Sequence, residues 1–465
     1  MSKRVNSYFY SSGIILAVVL VAVLLIYHPA DKAPPKNVIV MISDGCGYNQ
    51  VEAASLYQYG KRDGAVYHRF PVRMAMSTFS ASGHGYDPSK AWATFEYLKK
   101  RPTDSAAAAT ALGTGTKTYN GAICVDTLRK PLVNLGDVGE NLGKATGVIT
   151  SVYFPHATPA GFSAHNVRRG NISEISREML LDSGFEVIMG AGHPLYDNDG
   201  KLRDTSKIDY KRFGDEVLWK GISAGATVID SNQVADIDGD GVPDPWTLVE
   251  TRDAFRALAK GPTPKRVLGL VRIEQTLQYR RHGNRKTATP FEVPLITTVP
   301  TLAEMSSAAL NVLDNDPDGF FLMIEGGAVD WAGHRNNSPR VIEEEIDFNN
   351  AVDAVVAWVE KHSSWDETLV VVTGDHETGY LLGPGSGTGV DGKPVFAPLK
   401  DNGKGNLPGM QWNSGGHTNS LIPIYAKGVG SKALSSRVAG HDSLRGDYIE
   451  NTSIPNTVFA LWGVK

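Results

Sequence analysis

The chain has 465 residues, 42% of them hydrophobic and 21% charged, and a formal net charge of -4. That balance fits a globular protein with a substantial buried core. With no long Lys/Arg run, it gives no sign of nucleic acid as a specific partner.

The N-terminus is set apart from the fold. "MSKRVNS" places Lys3 and Arg4 before an apolar run from Gly13 to Tyr27. A charged start followed by such a run reads as an export signal. Extended back over 8–27, the run reaches the ~20 residues of a membrane-spanning helix. "YHPADKAPPK" is a poor cleavage site. An uncleaved anchor is therefore favoured slightly over a cleaved signal. Residues 1–35 are assigned to this segment and its linker. Residues 36–465 are expected to form the working domain, exported to the periplasmic or extracellular face.

Apolar runs rich in Val, Ile and Phe follow at 37–43, 146–154, 185–192, 266–271, 319–325 and 368–374. Their length and bounding Gly, Pro and Asp residues predict buried strands. Between them, 340–362 carries Ile342, Ile346, Val352, Val355, Val356 and Val359 at helical spacing. Alternating strands and helices predict an α/β three-layer sandwich, with a mostly parallel sheet between two helical layers. Residues 193–265 are more polar and less periodic, as expected of an insertion or cap. The two cysteines, Cys46 and Cys124, are too few for a disulfide framework and read as free core residues.

Three of the strands run into a carboxylate: Asp44, Glu325, and Asp375 with His376 next to it. Ligands of open α/β sheets bind at these strand ends. Acidic groups gathered there need cations. In "EGGAVDWAGH", Asp330 and His334 are four apart and share a helix face. A catalytic zinc takes about three protein ligands, and His417 in "NSGGHTNS" is a third candidate. Asp104-Ser105 opens an Ala-rich helix whose free N–H groups favour a phosphate, although Asp and Ser are also common helix caps. The stretch 154–170 offers His156, Thr158, His165 and the pair Arg168/Arg169. Finally, "DIDGDGVPD" sets Asp236, Asp238, Asp240 and Asp244 at calcium-loop spacing, with Thr247 where a closing Glu belongs. A structural calcium or a plain Asp/Gly turn both fit.

The segments "DSAAAATALGTGTKTYNGAI", "HATPAGFSAHNVRR", "EGGAVDWAGHRNN", "TGDHETG" and "SGGHT" occur in this order. Together, over roughly 36 to 464, they closely resemble the alkaline phosphatases. The resemblance implies hydrolysis of small phosphate monoesters at alkaline pH through a phosphoserine, releasing inorganic phosphate. It implies Ser105 as nucleophile and Arg169 as the phosphate-binding arginine. It implies two Zn2+, one on Asp330, His334 and His417 and one on Asp44, Asp375 and His376. A third ion, Mg2+ in the family pattern, falls to Asp44, Thr158 and Glu325. His165 is expected beside these ligands, and a homodimer is the common family state. Some members carry Asp at the position of His156 and Lys at that of Trp331; the His/Trp pair resembles a bacterial subgroup. His156 is expected to favour zinc over magnesium at the third ion, and Trp331 to tune phosphate binding.

Phosphodiesterases, sulfatases and phosphomutases share this metal core, but usually carry a different nucleophile and lack the Thr158 motif. A membrane-anchored metal- or phosphate-binding protein would lack a catalytic ligand, and none is missing from this chain.

Overall fold

The computed structural model describes residues 34–283 and 287–464. The apolar run at 8–27 lies outside them. Among the described residues no helix is long and apolar enough to cross a membrane.

Eleven strands form one sheet. In chain order they are β1 (Asn37–Ser43), β2 (Val72–Ser77), β3 (Ala145–Tyr153), β4 (Val187–Ala191), β5 (Thr247–Val249) and β6 (Val267–Leu270). They continue with β7 (Phe320–Gly326), β8 (Thr368–Gly374), β9 (Ile422–Gly428), β10 (Gly440–Asp442) and β11 (Gly446–Glu450). Across the sheet the order is β10-β11-β2-β9-β8-β1-β7-β3-β4-β6-β5. From β8 to β5 every pairing is parallel. β9 pairs antiparallel with both β8 and β2.

Both faces of the sheet are covered, which is why the central strands are apolar at every position. Along β1, Val38, Val40 and Ile42 pack into one core with Ala106 and Leu112 of helix α1 (Ser105–Thr114). Ile39 and Met41 face the opposite core. There they join Leu302 and Met305 of α2 (Leu302–Leu313), with Val341 and Phe348 of α4 (Ser338–His362). Between those two helices lies the short α3 (Ala328–Gly333). Burying each such aliphatic side chain is worth about 1.5–3 kcal/mol. The three-layer α/β architecture expected from sequence is the one observed.

Five strands were not legible as apolar runs. β2 and β11 carry charge within short segments ("VRMAMS", "GDYIE"), and β9 contains Pro423 and Lys427. The strand expected at 266–271 begins at Val267, because the buried Arg266 side chain turns to donate to the carbonyls of Phe185 and Ser183. Helix α4 starts two residues before the expected 340, with the Asn337 side chain accepting from Arg340 N and Pro339 in its first turn. Within 193–265, Val228–Ile229 and Asn232–Gln233 form a separate small hairpin. Thr247–Val249, as β5, instead extends the main sheet. Cys46 and Cys124 are free and buried.

Candidate active site

Three adjacent parallel strands deliver their carboxylates to one place. Ser43 of β1 lies opposite Gly374 of β8 and Gly326 of β7, so Asp44, Asp375 and Glu325 emerge side by side. All three are fully buried. Both Asp44 oxygens, Glu325 Oε1 and Asp375 Oδ2 have no hydrogen-bond partner. Burial pushes Asp44 far above the ordinary carboxylate range, helped by the charges of Asp375, Asp330 and Glu325. Burial likewise lifts Glu325 to about 7 and Asp375 to about 6. Buried anions without partners are unfavourable; cations bound among them remove that cost.

The turn after Asp44 lets a second group of ligands approach. Gly45 has φ +74, and a Cβ there would sit 2.7 Å from both Cα and Cβ of Asp330. Asp330 lies in α3, with His334 one turn on. Asp330 Oδ1 accepts from Thr378 Oγ1 at 2.5 Å. His417 reaches the same carboxylate because the short strand His417–Thr418 pairs antiparallel with Glu377–Thr378. His334 Nδ1 is 2.8 Å from the Gly415 carbonyl and His417 Nδ1 is 2.8 Å from that of Thr103. Carbonyls only accept, so each Nδ1 donates and each Nε2 is left for the cluster. Those two Nε2 atoms stand 3.0 Å apart, at 3.4 and 3.3 Å from the Asp330 oxygens. Facing lone pairs at that distance need a cation between them. Without a metal a proton serves: burial opposes it, but Asp330 lifts His417 to about 9.

Groups able to hold an ion with ligand atoms within 4.8 Å of one another are Asp330/His334/His417, Asp44/Asp330/His376 and Asp44/His156/Glu325. His376 Nε2 is 3.3 Å from Asp375 Oδ2 and 3.6 Å from Asp44 Oδ1. It is also 3.3 Å from Ser105 Oγ. Ser105 is the first residue of α1, whose cap is the Asp104 side chain, accepting from Ala107 N at 3.0 Å. The other Asp104 oxygen holds Arg169 Nη1 at 3.1 Å, and Arg169 Nη2 is 3.2 Å from His156 Nε2. Burial, and then Arg169, lowers His156 to about 3, so its ring is neutral. A cavity of about 370 Å³ opens above Ser105 and Arg169, with Trp331, Arg280 and His417 in its wall. A serine hydroxyl, an arginine and three cation-ready clusters thus meet at one helix N-terminus, an arrangement suited to phosphoryl transfer.

The alkaline phosphatase family profile matches residues 35–406. The chain belongs to the alkaline phosphatase family. Alkaline phosphatase 4 of Bacillus subtilis (strain 168) is 30% identical over 80% of this chain and 68% of its own length. Alkaline phosphatase 3 of the same organism is 26% identical over 91% of this chain and 88% of its own. Among solved structures, the alkaline phosphatase of the Antarctic bacterium TAB5 aligns at TM-score 0.60 and 25% identity, covering 92% of this chain and 98% of that one. A His-to-Asp mutant of that enzyme has Mg bound in its M3 site. This alkaline phosphatase is accordingly a metal-dependent phosphomonoester hydrolase, and a phosphoserine intermediate is the general mechanism of its family.

Most residues singled out in the sequence converge in this site. Thr158 is buried with an unpartnered Oγ1, and the His156 and Trp331 ring centroids are 6.0 Å apart. His165 does not stand beside the ligands as expected. Its Nδ1 is 2.8 Å from Glu178 Oε1 and its Nε2 is 2.8 Å from the Leu132 carbonyl, so it braces a neighbouring loop. Asp236, Asp238 and Asp244 lie within reach of one ion, but Lys265 Nζ already contacts Asp238, reaches Asp244 at 3.0 Å and sits 3.9 Å from Asp240. Sequence reasoning missed Thr378 and Thr150, which donate to Asp330 and Glu325. Thr150 pairs with Glu325 across β3 and β7, a register the two strand sequences do not encode separately.

Proposed function

We propose that Ser105 is the nucleophile of this alkaline phosphatase and becomes phosphorylated during turnover of small phosphate monoesters. Asp330, His334 and His417 would hold one Zn2+, and Asp44, Asp375 and His376 a second. Asp44, Thr158 and Glu325 would hold the third ion, Mg2+ in the family pattern. His156 joins that last group in space and would bias it toward zinc. When bound, these ions supply positive charge that makes a hydroxyl nucleophilic near neutral pH and offsets charge on the phosphoryl oxygens. The chain supplies the rest. The N-terminus of α1 presents Ser105, and Asp104 aims the Arg169 guanidinium to clamp the equatorial oxygens. Neutral His156 backs Arg169. The observation that carries this reading is Ser105 Oγ at 3.3 Å from His376 Nε2, among buried carboxylate oxygens that lack protein partners.

A calcium ion at the Asp236–Asp244 loop would have to displace Lys265. Export, with or without an anchor at 8–27, rests on the apolar N-terminal run. The homodimer rests on the family resemblance alone.

Hydrolysis of a chromogenic monoester at alkaline pH, with zinc and magnesium supplied, tests the assignment. Ser105→Ala is expected to lose roughly 10⁴-fold or more in kcat while keeping its metals. Full activity in that variant, or none in the wild type, would falsify it.

A further inference from the structure

The cavity above Ser105 carries more positive charge than one phosphoryl group requires. Arg169, whose partner is Asp104, already serves that group. Arg280 and Arg335 line the same cavity, and among the described residues neither has a carboxylate partner. Arg280 is held in place. Its backbone N donates to Thr276 Oγ1 at 2.9 Å, and Thr276 bridges to Val152 of β3. Its guanidinium lies 5.2 Å from the centroid of Trp331. At that distance the cation is attracted to the indole face, while its N–H groups remain able to donate to an anion. Arg280 Nε is itself buried, so contact with a ligand in the cavity falls to the terminal Nη groups, which carry the guanidinium's paired donors. Arg335 follows His334 directly and is exposed on the cavity's rim. The cavity's volume, about 370 Å³, leaves room beyond one phosphoryl group. The adjoining cavity around Arg101 and Asn120 contains neither Ser105 nor Arg169, so only the first can hold both ends of such a substrate.

We propose that Arg280 and Arg335 form a second anion subsite, which selects phosphorylated substrates, esters or anhydrides, whose leaving group bears an anionic phosphate or carboxylate. This rests on Ser105 being the phosphoryl acceptor. Trp331 takes part as the platform that orients Arg280. The forked N–H groups of the two arginines bind the second anion in the ground state as well as the transition state, so the benefit falls mainly on KM.

The test compares glycerol phosphate, phosphoglycerate and inorganic pyrophosphate in the wild type, Arg280→Gln and Arg335→Gln holoenzymes. Each substrate is expressed as its own variant-to-wild-type ratio, so leaving-group reactivity cancels. Loss of a charge-assisted hydrogen bond corresponds to about tenfold. Each variant is therefore expected to lose about tenfold more kcat/KM on the doubly anionic substrates than on glycerol phosphate, chiefly through KM. A differential confined to pyrophosphate assigns the subsite to phosphate, and one confined to phosphoglycerate assigns it to carboxylate. Equal losses on all three substrates, or none on any, overturn the subsite while leaving the phosphatase reading intact. No turnover of glycerol phosphate by the wild type overturns both. Turnover of glycerol phosphate by each variant also reports that it folds, and exposed Arg335 provides the substitution least coupled to packing.

Discussion

Asp44, Glu325 and Asp375 at the ends of the central strands, and Asp236, Asp238 and Asp244 in the surface loop, are two clusters of acidic residues handled in opposite ways. In the first, burial is complete and carboxylate oxygens lack partners. In the second, backbone N–H groups of Gly239 and Gly241 cap Asp236, and Lys265 lies among the other carboxylates. The loop has the more suggestive motif, yet it has its own cation. The strand ends have no regular motif, yet among the described residues no Lys or Arg forms an ion pair with their carboxylates, and four of their oxygens lack a hydrogen bond. An acidic cluster points to a metal when the protein leaves it uncompensated, and spacing along the chain does not report that.

Chelation should separate the two clusters most sharply. Removing metals is expected to abolish phosphate-monoester turnover and to lower the thermal midpoint by several degrees, since ligands bound only to the native state stabilise it. Asp236→Asn and Asp238→Asn should leave kcat and metal content at the wild-type level. Equal sensitivity of both clusters to chelator would break the comparison. Trp331→Lys asks what happens when the buried cluster receives a protein cation as the loop does. The ammonium should tighten product binding, lowering the inhibition constant of phosphate several-fold; an unchanged constant would leave Trp331 a packing residue and a support for Arg280. Lys265→Ala performs the reverse operation. Without its ammonium the loop should become calcium-responsive, the variant gaining about one to three degrees in millimolar calcium where the wild type gains none.

His165 is an intermediate case, a cation that is present only when protonated. Burial opposes its charge, but hydrogen bonds with Asp137 and Glu178 lift it to about 10. The folded value lies above the unfolded one, about 6.5. Its stabilisation is therefore complete below about pH 6.5 and disappears as pH rises through about 10. His165→Gln should cost about 1–2 kcal/mol at pH 6, allowing for solvent screening of the partly exposed carboxylates, and little above pH 10. Denaturant titrations at both pH values measure the difference; a gap that widens with pH would refute the assignment.

The central strands, the long helix and nearly all the converging residues were legible because parallel strands buried on both faces must be continuously apolar. The polar residue that ends such a run is then conspicuous. His417 could be suspected but not placed, since its position depends on pairing with Glu377–Thr378, far away in sequence. β2, β9 and β11 were hidden because antiparallel or peripheral strands tolerate Pro, Lys and Asp. His165, expected beside the ligands from the family resemblance, stands apart because the chain turns away through Ala160–Phe162 and its ring is taken by Glu178 and the Leu132 carbonyl. Arg280 had no signal at all: it lies in irregular chain, and only the folded cavity brings it to Trp331.

Gly45 has a consequence for how this enzyme can change. The backbone of Asp330 fills the space where its side chain would be, so the turn from β1 and helix α3 are in contact there with nothing to absorb a misfit. The separation between the ligand groups on those two elements is therefore set by main chain and not by adjustable rotamers. Any other residue at 45 would have to alter the backbone angle and the distance between the groups at once. Under the proposed assignment, variants that retune one of the ions are accessible by single substitutions such as that at 156. Variants that respace them are not, and a search for new chemistry in this scaffold has far more freedom in the walls of the cavity than in its floor.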